Sequence, residues 1–534
     1  MTAKTRRRKK VFFDHGSRES DTASFAGFVR FVIQLFSENL SLCSQRSFAV
    51  SMICVVVCFS AAAEKQPNIV VFTVDDMDIT SVNCYGNPLP DLTPNMDRLA
   101  SQGMRFMHAH VNSPICMPCR QSMMTGLQPH SNGSFGFVEV EKGSCPNLPG
   151  LLHDAGYFTA SISKGRDYKA FPWDDFVNGL GAKAWYSRKP EAFYNRVKES
   201  IEKAGEKPFF IGVNTSDPHR PFAGSEQEKE YVAKIQEAWP DADVPDFPEM
   251  KPVCSEDEAP LLPYLPDLPD LRRETVQYLT CVKRADDTLG RIMALIDELE
   301  LTDNTIFIFL SDHAAPMPTA KQNCYRHSSA TPLMVRWPEV IEPGSVDAEH
   351  MVSTLDIMPT LLEAAGLPIP EKQDGRSMLS ILQGGTQAGR DAVFVSYNYV
   401  YPGTQVFPMR AVHTKEWSYV FNPWSDGKKK RLQGNGQPTD NQSGLSLAAI
   451  QEAARADPEM KERLDTILLR RRDELFDMRK DPYSMDNLAG SPEYRKQLKK
   501  MKKRIAAEME RTGDPLLECF ENGGSYPAEW NQRK

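Results

Sequence analysis

Five consecutive residues, Cys116-Met117-Pro118-Cys119-Arg120, have types and a spacing that could support chemistry unavailable to ordinary side chains. They match Cys-x-Pro-x-Arg, the pattern that directs conversion of a cysteine to formylglycine. An aldehyde at residue 116 hydrates to a gem-diol. One hydroxyl can attack the central atom of an anionic ester, and the other can later expel the transferred group. A second set of reactive types follows apolar runs: Asp75-Asp76 after Asn68 to Val74, and Asp312-His313 after Thr305 to Leu310 and Ser311. Asp75, Asp76 and Asp312 would offer a hard divalent cation three carboxylates, balancing its charge before an anion arrives. Calcium suits such oxygen ligands first, while a nitrogen from His313 keeps magnesium and manganese open. An Asp-Asp pair alone is as often a turn or helix cap. Two capped strands beside a nucleophile pattern favour the metal.

These side chains need elements to hold them. Asn68 to Val74, Phe209 to Val213 and Thr305 to Leu310 are nearly continuous apolar runs, the pattern of strands buried on both faces. The second leads into Asp217-Pro218-His219-Arg220. Three core strands thus deliver polar residues at their C-terminal ends, where an open parallel sheet binds its ligand. Helical patterns separate them, as from Arg272 to Leu299, where Leu279, Val282, Leu289, Met293 and Ile296 share a stripe. From about Ala388 the pattern changes to short strands, Val393 to Tyr397 and Trp417 to Phe421, and then to a helical C-terminus. The expected fold is α/β, a large mixed, mostly parallel sheet sandwiched by helices, with a smaller C-terminal antiparallel-sheet subdomain. The Pro-rich stretch from Pro240 to Pro269 reads equally as a lid over the site or a surface connection.

The chain has 534 residues with a net charge of −8. A basic stretch, Lys4 to Lys10, precedes an apolar run from about Ser47 to Ala63 that ends Ser-Ala-Ala-Ala. This reads as a signal peptide cleaved after Ala63, implying a periplasmic or secreted protein. The run is shorter than the roughly 20 apolar residues of a membrane span, so no stable membrane anchor is expected. The long segment before it points to a translation start downstream of Met1. Residues 1–63 are therefore read as leader, 66–387 as the catalytic domain and 388–534 as the C-terminal subdomain. Without the leader, 54 Lys and Arg face 67 Asp and Glu. Nucleic acid is excluded as an expected partner, and any anion must be met by a metal and a few local cations. The basic runs Lys428 to Arg431 and Arg495 to Arg504 read as solvated faces. Eight cysteines remain after the leader, seven if Cys116 is converted, so an odd thiol is left over.

The chain resembles the type I, formylglycine-dependent sulfatases of the alkaline phosphatase superfamily, and among them most the heparan N-sulfatase (sulfamidase) branch. The likeness runs from Asn68 to about Pro515. It includes Val74-Asp75-Asp76, the nucleophile pattern, Ser122-x-x-Thr125-Gly126-Leu127 with His130 and Asn132-Gly133, and Asp217-Pro218-His219-Arg220. It continues through Ser311-Asp312, Phe407 to Val412 and Glu474-Leu475-Phe476-Asp477. The resemblance implies that Cys116, matured by a formylglycine-generating enzyme, is the nucleophile and a metal ligand with Asp75, Asp76, Asp312 and His313. Arg120 would hold its hydrate. Lys164 matches the lysine that contacts formylglycine and sulfate, Lys321 a second cationic sulfate contact, and His219 the histidine near the leaving group. An imidazole titrating near neutrality suits a general acid there. Ser122 to Gly126 match the residues that begin the family's helix after the nucleophile, which would aim backbone N–H groups at an anion. The implied substrate is a sulfated sugar, N-sulfoglucosamine of heparan-type glycans first.

Two positions depart from the family pattern. A histidine usually follows two or three residues after the lysine at Lys164, where this chain has Arg166 and Asp167. Arginine is always protonated and a poor base, so His130 or another residue would have to substitute, or turnover is slow. Asp312-His313 replaces the commoner Asp-Asn, a form shared with related phosphonate monoester hydrolases. The alternatives are thus an O-sulfated polysaccharide sulfatase, a phosphoester or phosphonate hydrolase, or a silent sulfoglycan-binding protein.

Overall fold

A computed structural model describes residues 66–178, 188–238, 248, 250–399, 406–432 and 444–527. The leader, the apolar run from Ser47 to Ala63 and residues 240–247 and 249 of the Pro-rich stretch lie outside the described residues. Strands are β1 (Asn68–Val74), β2 (Met104–Phe106), β3 (Ala109–His110), β4 (Phe158–Ile162), β5 (Asp175–Val177), β6 (Phe209–Asn214) and β7 (Thr305–Ser311). They continue as β8 (Leu333–Arg336), β9 (Ser345–Asp347), β10 (Val352–Ser353), β11 (Val393–Tyr397), β12 (Met409–His413), β13 (Trp417–Phe421) and β14 (Asp473–Asp477). Eight of them form one sheet in the order β5-β4-β6-β1-β7-β8-β2-β9. The pairs β4–β5, β4–β6, β1–β6, β1–β7 and β2–β9 are parallel, whereas β8 runs antiparallel to β7 and β2. The sheet is mixed and mostly parallel, as the apolar runs predict.

Alternation along β1 explains why those runs read as continuous. Val70, Phe72 and Val74 enter one core and Ile69 and Val71 the opposite one. On β7, Phe307 and Phe309 face the first core, and Ile306, Ile308 and Leu310 the second. Each such side chain contributes about 1.5–3 kcal/mol on burial. Helix α1 (Cys116–Thr125) supplies Met123 and Met124 to the second core. Helices α2 (Pro190–Ala204) and α3 (Pro269–Glu298) cover the first, the latter through Leu279, Val282, Leu289, Met293 and Ile296. Helix α3 begins at Pro269 rather than Arg272, because proline is well suited to the first helical turn. The residues just before it are neither a plain surface connection nor regular structure, since Leu262, Tyr264 and Leu265 are buried in the first core.

The strands β11-β12-β13-β14 form a separate, wholly antiparallel sheet. One face, with Val395, Tyr397, Met409, Ala411, Val420 and Phe476, packs against Ile115, Cys324 and Tyr325. The other is covered by helix α4 (Arg495–Thr512) through Met501, Ile505 and Met509. The small sheet therefore abuts the segments that carry the nucleophile pattern and Lys321.

Candidate active site

Because β6, β1 and β7 are adjacent and parallel, Asp217, Asp75-Asp76 and Asp312-His313 emerge at one sheet edge. Backbone bonds pin the three exits together: Asp75 N–H donates to Asp217 O at 3.0 Å, and Asp312 N–H to Val74 O at 3.2 Å. Asp76 takes a left-handed conformation, φ 72°, which few residues other than glycine and Asp or Asn tolerate. Its N–H meets Asp312 Oδ1 at 3.1 Å. Such strain, of order 1–3 kcal/mol, persists where surrounding bonds over-determine it.

Helix α1 starts at Cys116 itself. Thr125-Gly126 ends that helix rather than beginning one, with Gly126 in the left-handed region at φ 64° and its N–H bonded to Ser122 O. Cys116 is thus the first helical residue, and Ile115 before it supplies no side-chain cap. The positive end of the helix dipole falls at residue 116, which favours an anion there.

The sequence candidates converge. Atoms of Asp75, Asp76, Cys116 and His313 able to ligate a metal all lie within 4.8 Å of one another, and all four residues are buried. Cys116 Sγ is 3.3 Å from His313 Nε2, which lies 3.2 Å from Asp76 Oδ1. Asp312 is adjacent but otherwise engaged: Arg120 Nε donates to its Oδ2 at 2.8 Å, while Oδ1 is 3.6 Å from His313 Nε2. Lys321 Nζ donates to both oxygens of Asp76, at 2.8 and 2.9 Å. Lys164, also left-handed at φ 52°, forms an ion pair with Asp75. His219 stands at the rim, Nε2 3.7 Å from Asp76 Oδ2, with Nδ1 against Arg220 O.

These charges set the protonation states. Burial pushes Asp75 up, but Lys164, His219, Arg120 and Lys321 outweigh it and hold the carboxyl well below its ordinary value. Asp76 is likewise held down, burial being overcome chiefly by Lys321. Asp312 is pushed up to about 6 by burial, which Arg120 only partly offsets. Burial raises the Cys116 thiol well above its ordinary value, so an unmodified cysteine here is a protonated, weak nucleophile. His219 departs from the neutral titration that its family role suggests: burial brings it down to about 4, against the pull of Asp76. In the unliganded site its imidazole is neutral.

The places expected for a second histidine are also resolved. Arg166 turns outward, stacked over Phe137 at 4.5 Å, while Asp167 is buried with Oδ2 3.8 Å from Arg120 Nε. His130 pairs instead with Asp514, Nδ1 to Oδ2 3.8 Å. Sequence reasoning missed Asn214, whose Oδ1 accepts from Arg120 at 2.8 Å, and Tyr168, whose hydroxyl is 3.4 Å from the same guanidinium. Asn214 is the polar terminus of an apolar run, the signal that found Asp75. Also missed were Arg188 and Arg284, which clamp the Asp217 carboxylate at 2.7 to 2.9 Å and so fix the loop carrying His219. All eight described cysteines are free thiols.

The chain is similar to known proteins. The family model described as Sulfatase matches residues 67–367, and a model described as N-sulphoglucosamine sulphohydrolase, C-terminal, matches residues 319–433. An ulvan-active sulfatase of Formosa agariphila is 26% identical over 86% of this chain and 83% of its own. The N-sulphoglucosamine sulphohydrolase of Homo sapiens is 26% identical over 81% of this chain and 88% of its own. A structure solved in complex with its substrate D-glucosamine-2-N,6-O-disulfate superposes with a TM-score of 0.60 at 20% identity, covering 84% of this chain and 99% of that one. That likeness bears on fold, whereas the family model spans more than half of the sequence and the whole of the site just described. The chain belongs to the sulfatase family of the alkaline phosphatase-like superfamily, and it is a hydrolase.

Proposed function

We propose that the protein releases sulfate from a sulfated sugar, N-sulfoglucosamine of heparan-type glycans in particular, through formylglycine formed from Cys116. The observation that carries this reading is the buried convergence of Asp75, Asp76, Cys116 and His313 with three cations around them. A divalent cation fits that donor set, because the ligating atoms of Asp75, Asp76, Cys116 and His313 are buried and lie within 4.8 Å of one another, with Asp75 met, among the described residues, only by the ion pairs of Lys164 and Arg120. Asp75, Asp76, His313 and residue 116 would hold it, with Asp312 beside them; calcium is the first choice and magnesium or manganese the alternatives. When bound it supplies Lewis acidity toward a sulfuryl oxygen. Lys321 and Lys164, already turned to the carboxylates, would share their charge with the incoming sulfate, and Arg120 would orient the nucleophile from the Asp312 side. His219, neutral when the site is empty, would gain a proton as the substrate's negative charge enters, and pass it from Nε2 to the departing nitrogen or oxygen. The Cys116-x-Pro118-x-Arg120 pattern at the start of the helix supports maturation by a formylglycine-generating enzyme.

The N-sulfo assignment is supported by the C-terminal family match and by the human relative's name. The ulvan-active relative favours an O-sulfated polysaccharide as the second reading. Export by a cleaved leader accompanies either; among the described residues no helix is long and apolar enough to cross a membrane. Protein co-produced with a formylglycine-generating enzyme should release sulfate from N-sulfoglucosamine. Release only from O-sulfated sugars would overturn the substrate, and turnover confined to phosphate or phosphonate esters would overturn the reaction.

A further inference from the structure

The run Lys428 to Arg431 is not one solvated face. Lys428, Lys429 and Lys430 are exposed, but Arg431 is buried and turns inward, Nη1 donating to Asn323 Oδ1 at 2.9 Å and Nη2 to Gln322 O. Its backbone N–H bonds Leu468 O at 2.9 Å, which brings a second basic run, Arg470-Arg471-Arg472, alongside the first. Arg470 Nη2 reaches the same Asn323 Oδ1 at 3.1 Å. Asn323 in turn donates through Nδ2 to Lys321 O at 3.1 Å, and Gln322 N–H bonds Pro114 O, two residues before Cys116. Two basic segments more than 30 residues apart in sequence are therefore joined on the loop that carries Lys321.

The outer members of this ridge are Lys428, Lys429, Lys430 and Arg471, all exposed. Among the described residues none of the four enters an ion pair; Lys429 Nζ lies 5.4 Å over the Phe407 ring, and Asp426 Oδ1 accepts only the backbone N–H groups of Lys428 and Lys429. Four cations around the one exposed carboxylate of Asp426, on a chain with an acidic excess, leave a net positive local field on the segments joined to the Lys321 loop. From this juxtaposition we infer that the ridge formed by Lys428, Lys429, Lys430 and Arg471 binds further anionic groups of an extended sulfated glycan, so that the enzyme favours oligomeric over single-sugar substrates. The inference rests on the sulfated-sugar reading above. A repeating polyanion fits because four exposed cationic side chains, three of them consecutive lysines, act through charge rather than through a fixed hydrogen-bond geometry.

The test is binding of N-sulfoglucosamine and of a heparan-type sulfated hexasaccharide, by calorimetry, in a C116A background with and without the K428A/K429A/K430A/R471A changes. The expected result is hexasaccharide affinity reduced roughly tenfold at low salt, with much of the difference lost at physiological ionic strength and single-sugar affinity unchanged. A lysine-to-arginine triple variant, K428R/K429R/K430R, should bind the hexasaccharide like the parent, which a packing role would not predict. Equal loss for both ligands, no loss for the hexasaccharide, or no binding of it by the parent would overturn the proposal. So would a DNA oligonucleotide of equal charge competing with equal affinity. Failure of the sulfatase reading shows separately, as absent sulfate release by the matured wild type.

Discussion

Lys321 shows how single residues hold the site together. Burial alone would drive an ammonium and a carboxylate toward neutrality, yet contact with Asp76 and the nearby Asp75 raises Lys321 and holds Asp76 charged. Replacing Lys321 by Met leaves Asp76 buried without its partner, a change of about 3–5 kcal/mol in similar pairs. Turnover should fall roughly 10²- to 10³-fold, the loss typical of a removed charge-stabilising donor. A divalent cation should restore part of the variant's thermal stability but not its rate; a variant as fast as wild type would remove Lys321 from the mechanism. Residue 116 offers a second check. Peptide mass analysis of matured protein should find an aldehyde there, and an unmodified thiol throughout would favour a silent binding protein. These residues were legible because reactive types ended apolar runs or formed a fixed pattern. Arg431 was not: its run looks uniformly solvated, and only the antiparallel sheet's position shows that the fourth cation turns inward.

Elements were legible where burial is complete on both faces and obscure where a boundary depends on a distant partner. The runs of β1, β6 and β7 appear as read, each extended by at most one residue. The Thr125-Gly126 pair was misplaced because a glycine can end a helix as readily as a motif can suggest its start. Helix Pro94–Gln102 shows the distant kind of dependence. Thr93 makes no side-chain cap, and Asp286 on α3 does that work, accepting from Asn95 N–H at 3.2 Å and Met96 N–H at 2.8 Å. Asp286→Ala should cost about 1–3 kcal/mol, because buried donors lose their acceptor. Burial also pushes Asp286 up to about 6, against hydrogen bonds that lower it. The folded state then keeps the proton longer than the unfolded chain. This contribution is full below about 4 and is lost as pH rises through about 6. Denaturant titrations should show that fall in wild type and a flatter profile in Asp286→Asn; identical profiles would contradict the assignment.

Across the whole molecule, an acidic chain sets Arg120, Lys164 and Lys321, all buried, against the carboxylates at the ends of β1 and β7 and leaves further cations exposed along the ridge. The mixed sheet was legible from three strands, whereas the contact between the small sheet and the Lys321 loop depends on tertiary packing that no local pattern encodes. Chelation should abolish turnover reversibly and lower the thermal midpoint, with readdition of calcium, magnesium or manganese ranking the cations; activity that persists through chelation would exclude a metal role. The central claim is that sulfate release depends on residue 116. It is tested most directly by measuring sulfate released from N-sulfoglucosamine by wild type and Cys116→Ala, both co-produced with a formylglycine-generating enzyme. The account predicts release by wild type and none above background by the variant; equal release by both would contradict it.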